Sequence, residues 1–233
     1  MEKNLKDLEE KLKVTFKNRD FLKSALVHRS YLNEHKNFAL DHNERLEFLG
    51  DAVLELVVTD YLYKNFQEAE GVLTNWRSSL VNRDQLAAAS ENLDLYRWLH
   101  MSRGEARDKN KKARSYILAN TFEAVVGAIY LDQGYKTAEK FIRENLIVNL
   151  EKIIEEKSYI DPKTNFQEKA QELVGITPNY RVIAESGPDH NKRFIVGVYL
   201  EKELVAEGEG FSKQEAQTDA AAKGLLKKGW EDK

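Results

Sequence analysis

Residues His42–Asp51 read His-Asn-Glu-Arg-Leu-Glu-Phe-Leu-Gly-Asp, and the rest of the chain is organised around this acidic segment. In a helix turning about 100° per residue, the segment places Glu44, Glu47 and Asp51 on one narrow arc. The opposite side of the same helix is apolar and carries Leu46, Leu49, Val53, Leu56 and Val57. A helix with so much apolar surface is typical of a protein core, and the pattern predicts that it runs to about residue 66.

The three carboxylates on this arc have two interpretations. Carboxylates gathered on a core helix repel one another and resist the loss of water, so a cation is needed to compensate them. A divalent metal ion bound by oxygen ligands would provide that charge. A solvated acidic face is the alternative, and it is the more common outcome for carboxylates at helical spacing alone. The apolar surroundings of this helix favour the metal site.

The composition is that of a globular protein: 42% of the 233 residues are hydrophobic and 32% are charged. The chain has no Cys, which excludes disulfides and thiolate chemistry and favours a cytoplasmic location. The charged first ten residues lack the apolar core of a signal peptide, and no apolar run is long enough to span a membrane. The net charge is −3, so nucleic-acid binding would depend on local basic clusters.

A second informative helix is predicted over residues 115–131. Asn120 and Glu123 share one arc of this helix, and its remaining surface is apolar or small. We expect it to pack on the first helix and to bring Asn120 and Glu123 opposite Glu47 and Asp51. Two helices that each present oxygen ligands suit a hard metal ion. Close approach of the helices is favoured by Ala119, Ala124, Gly127 and Ala128.

The remaining pattern predicts two domains. Further helices are expected over residues 2–14, 20–27, 75–90 (capped by Thr74) and 135–156. The charged run 103–114 is predicted to be a solvated loop, with phosphate contact as the less favoured alternative. After residue 158 the pattern becomes helix, three strands and helix. We therefore predict an all-α domain over 1–157, a linker over 158–160 and a small α+β domain of α-β-β-β-α order over 161–230, with both helices on one face of an antiparallel sheet.

Several motifs carry a family resemblance. The acidic segment His42–Asp51, together with Glu70–Gly71, Arg77–Asn82 and Ile117–Asp132, resembles the bacterial ribonuclease III catalytic domain. The segment Asp161–Leu226 resembles a double-stranded RNA-binding domain. The likeness covers nearly the whole chain in the family's usual order, and the acidic segment is highly specific.

The resemblance implies an activity. Ribonuclease III enzymes are Mg²⁺-dependent homodimeric endoribonucleases, with Mn²⁺ as a substitute metal, that act in RNA processing, including that of ribosomal RNA. They hydrolyse phosphodiesters of double-stranded RNA by two-metal water attack and leave 5′-phosphate and 3′-hydroxyl ends. By the same resemblance, Glu47, Asp51 and Glu123 are metal ligands, and Asn120 occupies the fourth ligand position.

Three further roles follow from the resemblance alone. Glu44 corresponds to the supporting acidic residue at the start of the motif, and Glu70 to the acidic residue that faces the partner subunit's site. Phe48 corresponds to the aromatic residue that the family inserts into the partner at the dimer interface. Without the resemblance, an ordinary core Phe would be the favoured interpretation of Phe48.

Asn120 departs from the family pattern, which has Leu-Ala-Asp where this chain has Leu-Ala-Asn. An Asn carbonyl oxygen can still bind Mg²⁺, but the cluster loses one negative charge. We therefore expect weakened cleavage. The alternatives are a non-cleaving double-stranded RNA-binding dimer and a helical dimerisation protein whose acidic cluster is only solvated surface.

The second domain offers candidate RNA contacts. Polar residues of its first helix are suited to the 2′-hydroxyl-lined minor groove of duplex RNA, and His190, in the turn after Gly187, resembles the family's contact to the next minor groove. At the start of the last helix, Gln214 and Gln217 are neutral where the family normally has basic residues, so we expect weak RNA binding by this domain alone. The candidate contacts are Thr164, Gln167, Glu168, Gln171, His190, Lys213 and Gln214.

Overall fold

The computed structural model describes residues 4–108, 110–157, 159, 161–188 and 192–230. The chain divides into two compact units, Met1–Tyr159 and Ile160–Lys233. The first unit is helical, and the second combines helices with a three-stranded sheet. The predicted fold class is therefore confirmed. Within the described ranges, no helix is both long enough and apolar enough to cross a membrane.

The first unit is built from α-helices with short connections. Its two longest helices, α4 and α8, each contribute six or more buried apolar residues to the core and pack directly on each other. The helices of this unit are α1 (Leu5–Leu12), α2 (Arg19–Ala25), α3 (Arg29–Glu34), α4 (Glu44–Asn65), α5 (Glu70–Leu80), α6 (Arg83–Asn92), α7 (Arg103–Arg107), α8 (Lys111–Gln133), α9 (Tyr135–Asn145) and α10 (Leu150–Glu155).

Two glycines let α4 and α8 approach until their backbones touch. A Cβ atom at Gly50 would overlap the carbonyl group of Glu123, and one at Gly127 would overlap the carbonyl oxygen of Leu46. Only Gly fits where two helix backbones come this close. The prediction that the helix carrying Asn120 and Glu123 packs on the helix carrying Glu47 and Asp51 is confirmed. The two glycines are the physical reason for this close packing.

The prediction of a single helix over residues 75–90 is wrong. The structure has α5 from Glu70 to Leu80 and a separate α6 from Arg83. Asn82 causes the break, because its side-chain oxygen accepts hydrogen bonds from the first backbone N–H groups of α6 and starts a new helix there. Thr74, predicted to be a cap, instead lies inside α5, where its hydroxyl donates to the Glu70 carboxylate at 3.2 Å.

Other expectations need smaller corrections. The charged run 103–114 is not a continuous loop, because Ser102 caps α7 and Asn110 caps α8 within or beside it. The helix predicted over 135–156 is divided into α9 and α10 by a short 3₁₀ turn, Ile147–Asn149. Leu56, expected on the buried side of α4, is 57% exposed.

The second unit has the predicted order of elements. Helix α11 (Pro162–Val174) is followed by β1 (Asn179–Ser186), β2 (Arg193–Leu200) and β3 (Glu203–Gly210), and α12 (Lys213–Lys228) closes the unit. The strands pair antiparallel in the order β1-β2-β3. The core of this unit lies between the sheet and the helices and contains Phe166, Ala170, Val198, Leu200, Val205, Ala220, Ala221 and Leu225.

The last helix, α12, begins with a pair of capping hydrogen bonds. The Ser212 hydroxyl accepts a hydrogen bond from the Glu215 backbone N–H at 3.1 Å. The Glu215 carboxylate in turn accepts from the Phe211 backbone N–H at 2.9 Å. Together these bonds fix where α12 begins and hold Lys213 at its first turn.

Candidate active site and nucleic-acid interface

The acidic arc of α4 lies at the edge of the core, where Glu47 is half-buried and Glu44 and Asp51 are exposed. Burial raises the pKa of the Glu47 carboxyl, and the charges of Glu44 and Asp51 raise it further. The Asn120 side chain of α8 opposes this shift, because its amide lies close enough to the Glu47 carboxylate to stabilise the negative charge. The structure therefore joins Asn120 to the acidic arc across the two helices.

Glu123 is the most strongly perturbed member of the cluster. Burial raises its pKa to about 8, with further contributions from Asp51 and then Glu47. All three effects disfavour the carboxylate, so Glu123 holds a proton at neutral pH while no cation is bound. Perturbed groups of this kind mark functional sites. Glu47, Asp51, Asn120 and Glu123 thus interact with one another at one place on the first unit.

The side chains of this cluster do not form a finished metal cage as they are oriented. In the part of the chain that the structure describes, no group of three or more His, Cys, Asp or Glu side chains could hold a metal ion. The donor chemistry nevertheless fits a hard divalent cation, which prefers carboxylate and amide oxygens. A bound cation would also offset the burial and the repulsion by Asp51 and Glu47 that raise the pKa of Glu123. Asp51 is exposed and can reorient toward a bound ion.

Glu44 and Glu70 lie differently with respect to this cluster. Glu44 contributes charge beside Glu47 and also lies 3.6 Å from the Arg29 guanidinium. Glu70 is the first residue of α5, is exposed, and is not among the charges that shift the pKa of Glu47 or Glu123. The structure does not bring Glu70 into the cluster within one chain, and its role across a dimer stays a prediction.

Phe48 is not a core residue, because its side chain is 81% exposed. The interpretation that spacing alone would favour is therefore wrong. Phe48, Leu56 and Tyr63 lie on one side of α4 and form an exposed apolar row, which we call the α4 stripe. Beside it is a pocket of about 550 Å³ whose lining includes Thr59, Tyr63, Phe66, Glu70 and Arg77.

Arg77, which the sequence analysis names only as the start of a motif, connects α5 to α4. Arg77 of α5 pairs with Glu55 at 3.0 Å and donates to the Thr59 hydroxyl at 3.1 Å, both on α4. This connection fixes the helix that carries Glu70. No sequence signal identifies it, because the partners are about 20 residues apart and meet only when the helices pack.

Among the described residues of the second unit, the proposed RNA contacts are exposed. Four of them form one exposed face of α11, as their spacing predicts: Thr164, Gln167, Glu168 and Gln171. On α12, Lys213 and Gln214 are exposed. Gln217 accepts a hydrogen bond from the Lys163 ammonium at 2.7 Å and so joins α12 to α11. His190 lies outside the described residues.

Comparison with known proteins agrees with this architecture. A family model described as Ribonuclease-III-like matches residues 18–150, and one described as Double-stranded RNA binding motif matches residues 162–228. Ribonuclease 3 of Dehalococcoides mccartyi is 42% identical over 95% of this chain and 94% of its own length. Ribonuclease 3 of Syntrophomonas wolfei is 44% identical over 94% of this chain and 92% of its own length.

A solved structure of the nuclease domain of ribonuclease III from Campylobacter jejuni matches the first unit. Its identity is 38% and its TM-score 0.53, and the match covers 61% of this chain and 98% of the other. That work describes structural flexibility in a region involved in dimer formation. The two units thus define a class of protein in which a helical nuclease domain is joined to a double-stranded RNA-binding domain. The chain belongs to the ribonuclease III family of endoribonucleases.

Proposed function

We propose that this protein hydrolyses phosphodiesters of double-stranded RNA in a Mg²⁺-dependent reaction that leaves 5′-phosphate and 3′-hydroxyl ends. The observation that carries the proposal is the cluster between α4 and α8, where burial and the negative charges of Asp51 and Glu47 raise the pKa of Glu123 to about 8. Family membership supports the substrate class. We also place the protein in the cytoplasm, since a chain without Cys suits a reducing compartment.

Each residue of the cluster has a role in this proposal. Glu47, Asp51, Asn120 and Glu123 would hold Mg²⁺, or Mn²⁺ in its place, through carboxylate and amide oxygens. When bound, the metal would activate water and stabilise the leaving 3′-oxygen. Asn120 also stabilises the charged form of the neighbouring Glu47 carboxylate. The carboxylates act as ligands and not as nucleophiles, so we expect no covalent intermediate.

Metal binding should be coupled to proton release. Glu123 holds a proton at neutral pH in the metal-free protein, because its pKa is about 8. It must lose that proton to serve as a carboxylate ligand. Affinity for the metal should therefore increase as pH rises toward 8, and one proton should be released for each site that is filled.

We further propose that the protein is a homodimer formed through the α4 stripe. Phe48 is 81% exposed. Covering such an aromatic side chain with a second chain would remove its apolar surface from water, which favours association. The pocket of about 550 Å³ beside Tyr63 offers space for the partner's aromatic side chain. A dimer would also bring Glu70, which lines this pocket, near the second chain.

Cleavage of a long RNA duplex over a series of Mg²⁺ concentrations tests the proposed activity, with single-stranded RNA of the same sequence as the control. We expect product from the duplex only. Asn120→Asp should increase the rate at low Mg²⁺, because it restores one negative charge, and Glu123→Gln should abolish cleavage. If no concentration of Mg²⁺ or Mn²⁺ yields product, the protein is a non-cleaving double-stranded RNA-binding dimer, the alternative that Asn120 favours.

A further inference from the structure

One carboxylate in the second unit lies between two lysines. Glu185, near the end of β1, has one carboxylate oxygen 2.8 Å from the Lys192 ammonium and the other 3.6 Å from the Lys213 ammonium. Lys192 stands just before β2, and Lys213 is the first residue of α12. A single negative charge therefore neutralises cations from two separate elements of the fold.

An aromatic ring supports the same two lysines. Each ammonium lies 5.7 Å from the centroid of the Phe194 ring, within the distance at which a cation is attracted to an aromatic face. The ring therefore gives both lysines a contact that would remain if the Glu185 carboxylate were removed. The pair with Lys213 is also loose, since its ammonium lies at 3.6 Å and its side chain is 59% exposed.

These lysines matter because cations are few at the start of α12. Gln214 and Gln217 are neutral, which leaves Lys213 as the cationic residue among the candidate RNA contacts of this helix. Affinity for duplex RNA depends on the number of counterions that protein cations displace from phosphates. A lysine already paired with a carboxylate displaces fewer, because binding must first break or share that pair. Hydrogen bonding to Lys192 is the main cause that lowers the pKa of Glu185, so its charge persists throughout the neutral range.

We propose that Glu185 sets the RNA affinity of the second unit, because its carboxylate competes with RNA phosphates for Lys192 and Lys213. The inference rests on the proposed function, since it requires that this unit bind duplex RNA. It goes further by assigning an affinity-limiting role to an acidic residue at the RNA-binding face. The opposite role, in which Glu185 holds the lysines in a productive position, predicts the opposite effect of its removal.

The test compares full-length wild-type protein with Glu185→Gln in EDTA, which prevents cleavage. Affinity for an RNA duplex of about 20 base pairs, long enough for one such domain, is measured over a series of KCl concentrations. We expect Glu185→Gln to bind about threefold to tenfold more tightly at low salt, the range for releasing two exposed ion pairs. The slope of log K against log salt should become steeper by about 1.

Glu203→Gln is the matched control. Glu203 pairs with Lys228 at 2.8 Å in the same unit, but at the other end of α12. Glu203→Gln should leave both the affinity for the RNA duplex and the slope of log K against log salt unchanged. Adding Lys213→Ala to Glu185→Gln should remove most of the gain.

The possible outcomes separate the two proposals. If Glu185→Gln binds no more tightly than wild-type protein, or more weakly, while wild-type protein binds the duplex, the competition inference is overturned and the proposed function stands. If neither protein binds the duplex at any salt concentration, the proposed function itself fails, and this inference fails with it. Unchanged thermal melting of Glu185→Gln would show that the comparison is between folded proteins.

Discussion

Replacing Glu123 with Gln should make the metal-free protein more stable at alkaline pH. Burial and the charges of Asp51 and Glu47 raise the pKa of Glu123 to about 8 in the folded protein, against 4.5 for an ordinary Glu in the unfolded chain. Between these values the folded protein binds one more proton than the unfolded chain. Its free energy of unfolding therefore decreases as pH rises through this interval. Gln carries no ionisable group, so the variant escapes this loss.

The size of the effect follows from the two pKa values. Their difference sets an upper bound of about 5 kcal/mol on the stability lost above pH 8, at 1.36 kcal/mol for each pKa unit. Glu123 is only half-buried, and solvent screening reduces the expected loss to about 1–3 kcal/mol. Below pH 4.5 Glu123 is protonated in both the folded and the unfolded protein, so no stability is lost through its ionisation. The wild-type and variant proteins should then be about equally stable.

Urea denaturation in EDTA at pH 5 and pH 9 measures this difference. Glu123→Gln should exceed wild-type protein by about 1–3 kcal/mol at pH 9 and by much less at pH 5. Glu91→Gln, on the exposed surface of α6, is the control and should follow wild-type protein at both values. Adding Mg²⁺ at pH 8 should stabilise wild-type protein but not Glu123→Gln. If the free energies of unfolding of Glu123→Gln and wild-type protein change with pH in parallel, the raised pKa of Glu123 in the folded protein is refuted.

Three further predictions test the packing, the interface and the N-terminal helices. Gly50→Ala should destabilise the protein by about 3 kcal/mol or more in urea denaturation, because its Cβ would overlap the backbone of α8, whereas Gly71→Ala, with open space around it, should be neutral or stabilising. Phe48→Ala should weaken dimerisation by about tenfold or more in sedimentation equilibrium with little change in monomer stability; an unchanged dissociation constant would remove the α4 stripe from the interface. Burial alone would raise the pKa of Glu9, but the hydrogen bond from Arg19, 2.7 Å away, and a backbone N–H lower it overall. Glu9→Gln should therefore cost about 1–3 kcal/mol at pH 7, a cost that disappears as pH falls below 4.5 and that acid titration of both proteins would reveal.

Short-range sequence pattern was sufficient for most of the fold. The acidic helix, the second helix with Asn120 and Glu123, and the α-β-β-β-α order of the second unit all follow from periodicities of 3.6 and 2, which depend on neighbouring residues only. The pattern failed where a single side chain overrides the periodicity. Asn82 ends one helix and starts the next within an otherwise continuous helical pattern.

The family likeness identifies the candidate site residues from the sequence alone. Their protonation, however, depends on contacts between residues that are distant in the sequence. The pKa of Glu123 rises to about 8 because the close packing of α4 on α8, which Gly50 and Gly127 allow, buries its carboxyl and places Asp51 and Glu47 beside it. The position of Glu123 on one arc of α8 does not predict this pKa shift, because the shift depends on residues of another helix.

Exposure and charge pairing were likewise decided by the tertiary structure. Spacing alone favours a buried Phe48, whereas the packed helices leave it 81% exposed. Glu185 meets Lys192 across the β1–β2 hairpin, and it meets Lys213 because the position of α12 brings a segment 28 residues away beside that hairpin. The sequence by itself determined which elements form, since that depends on local periodicity, and only tertiary packing decided which charges face one another, since electrostatic interaction depends on distance in space.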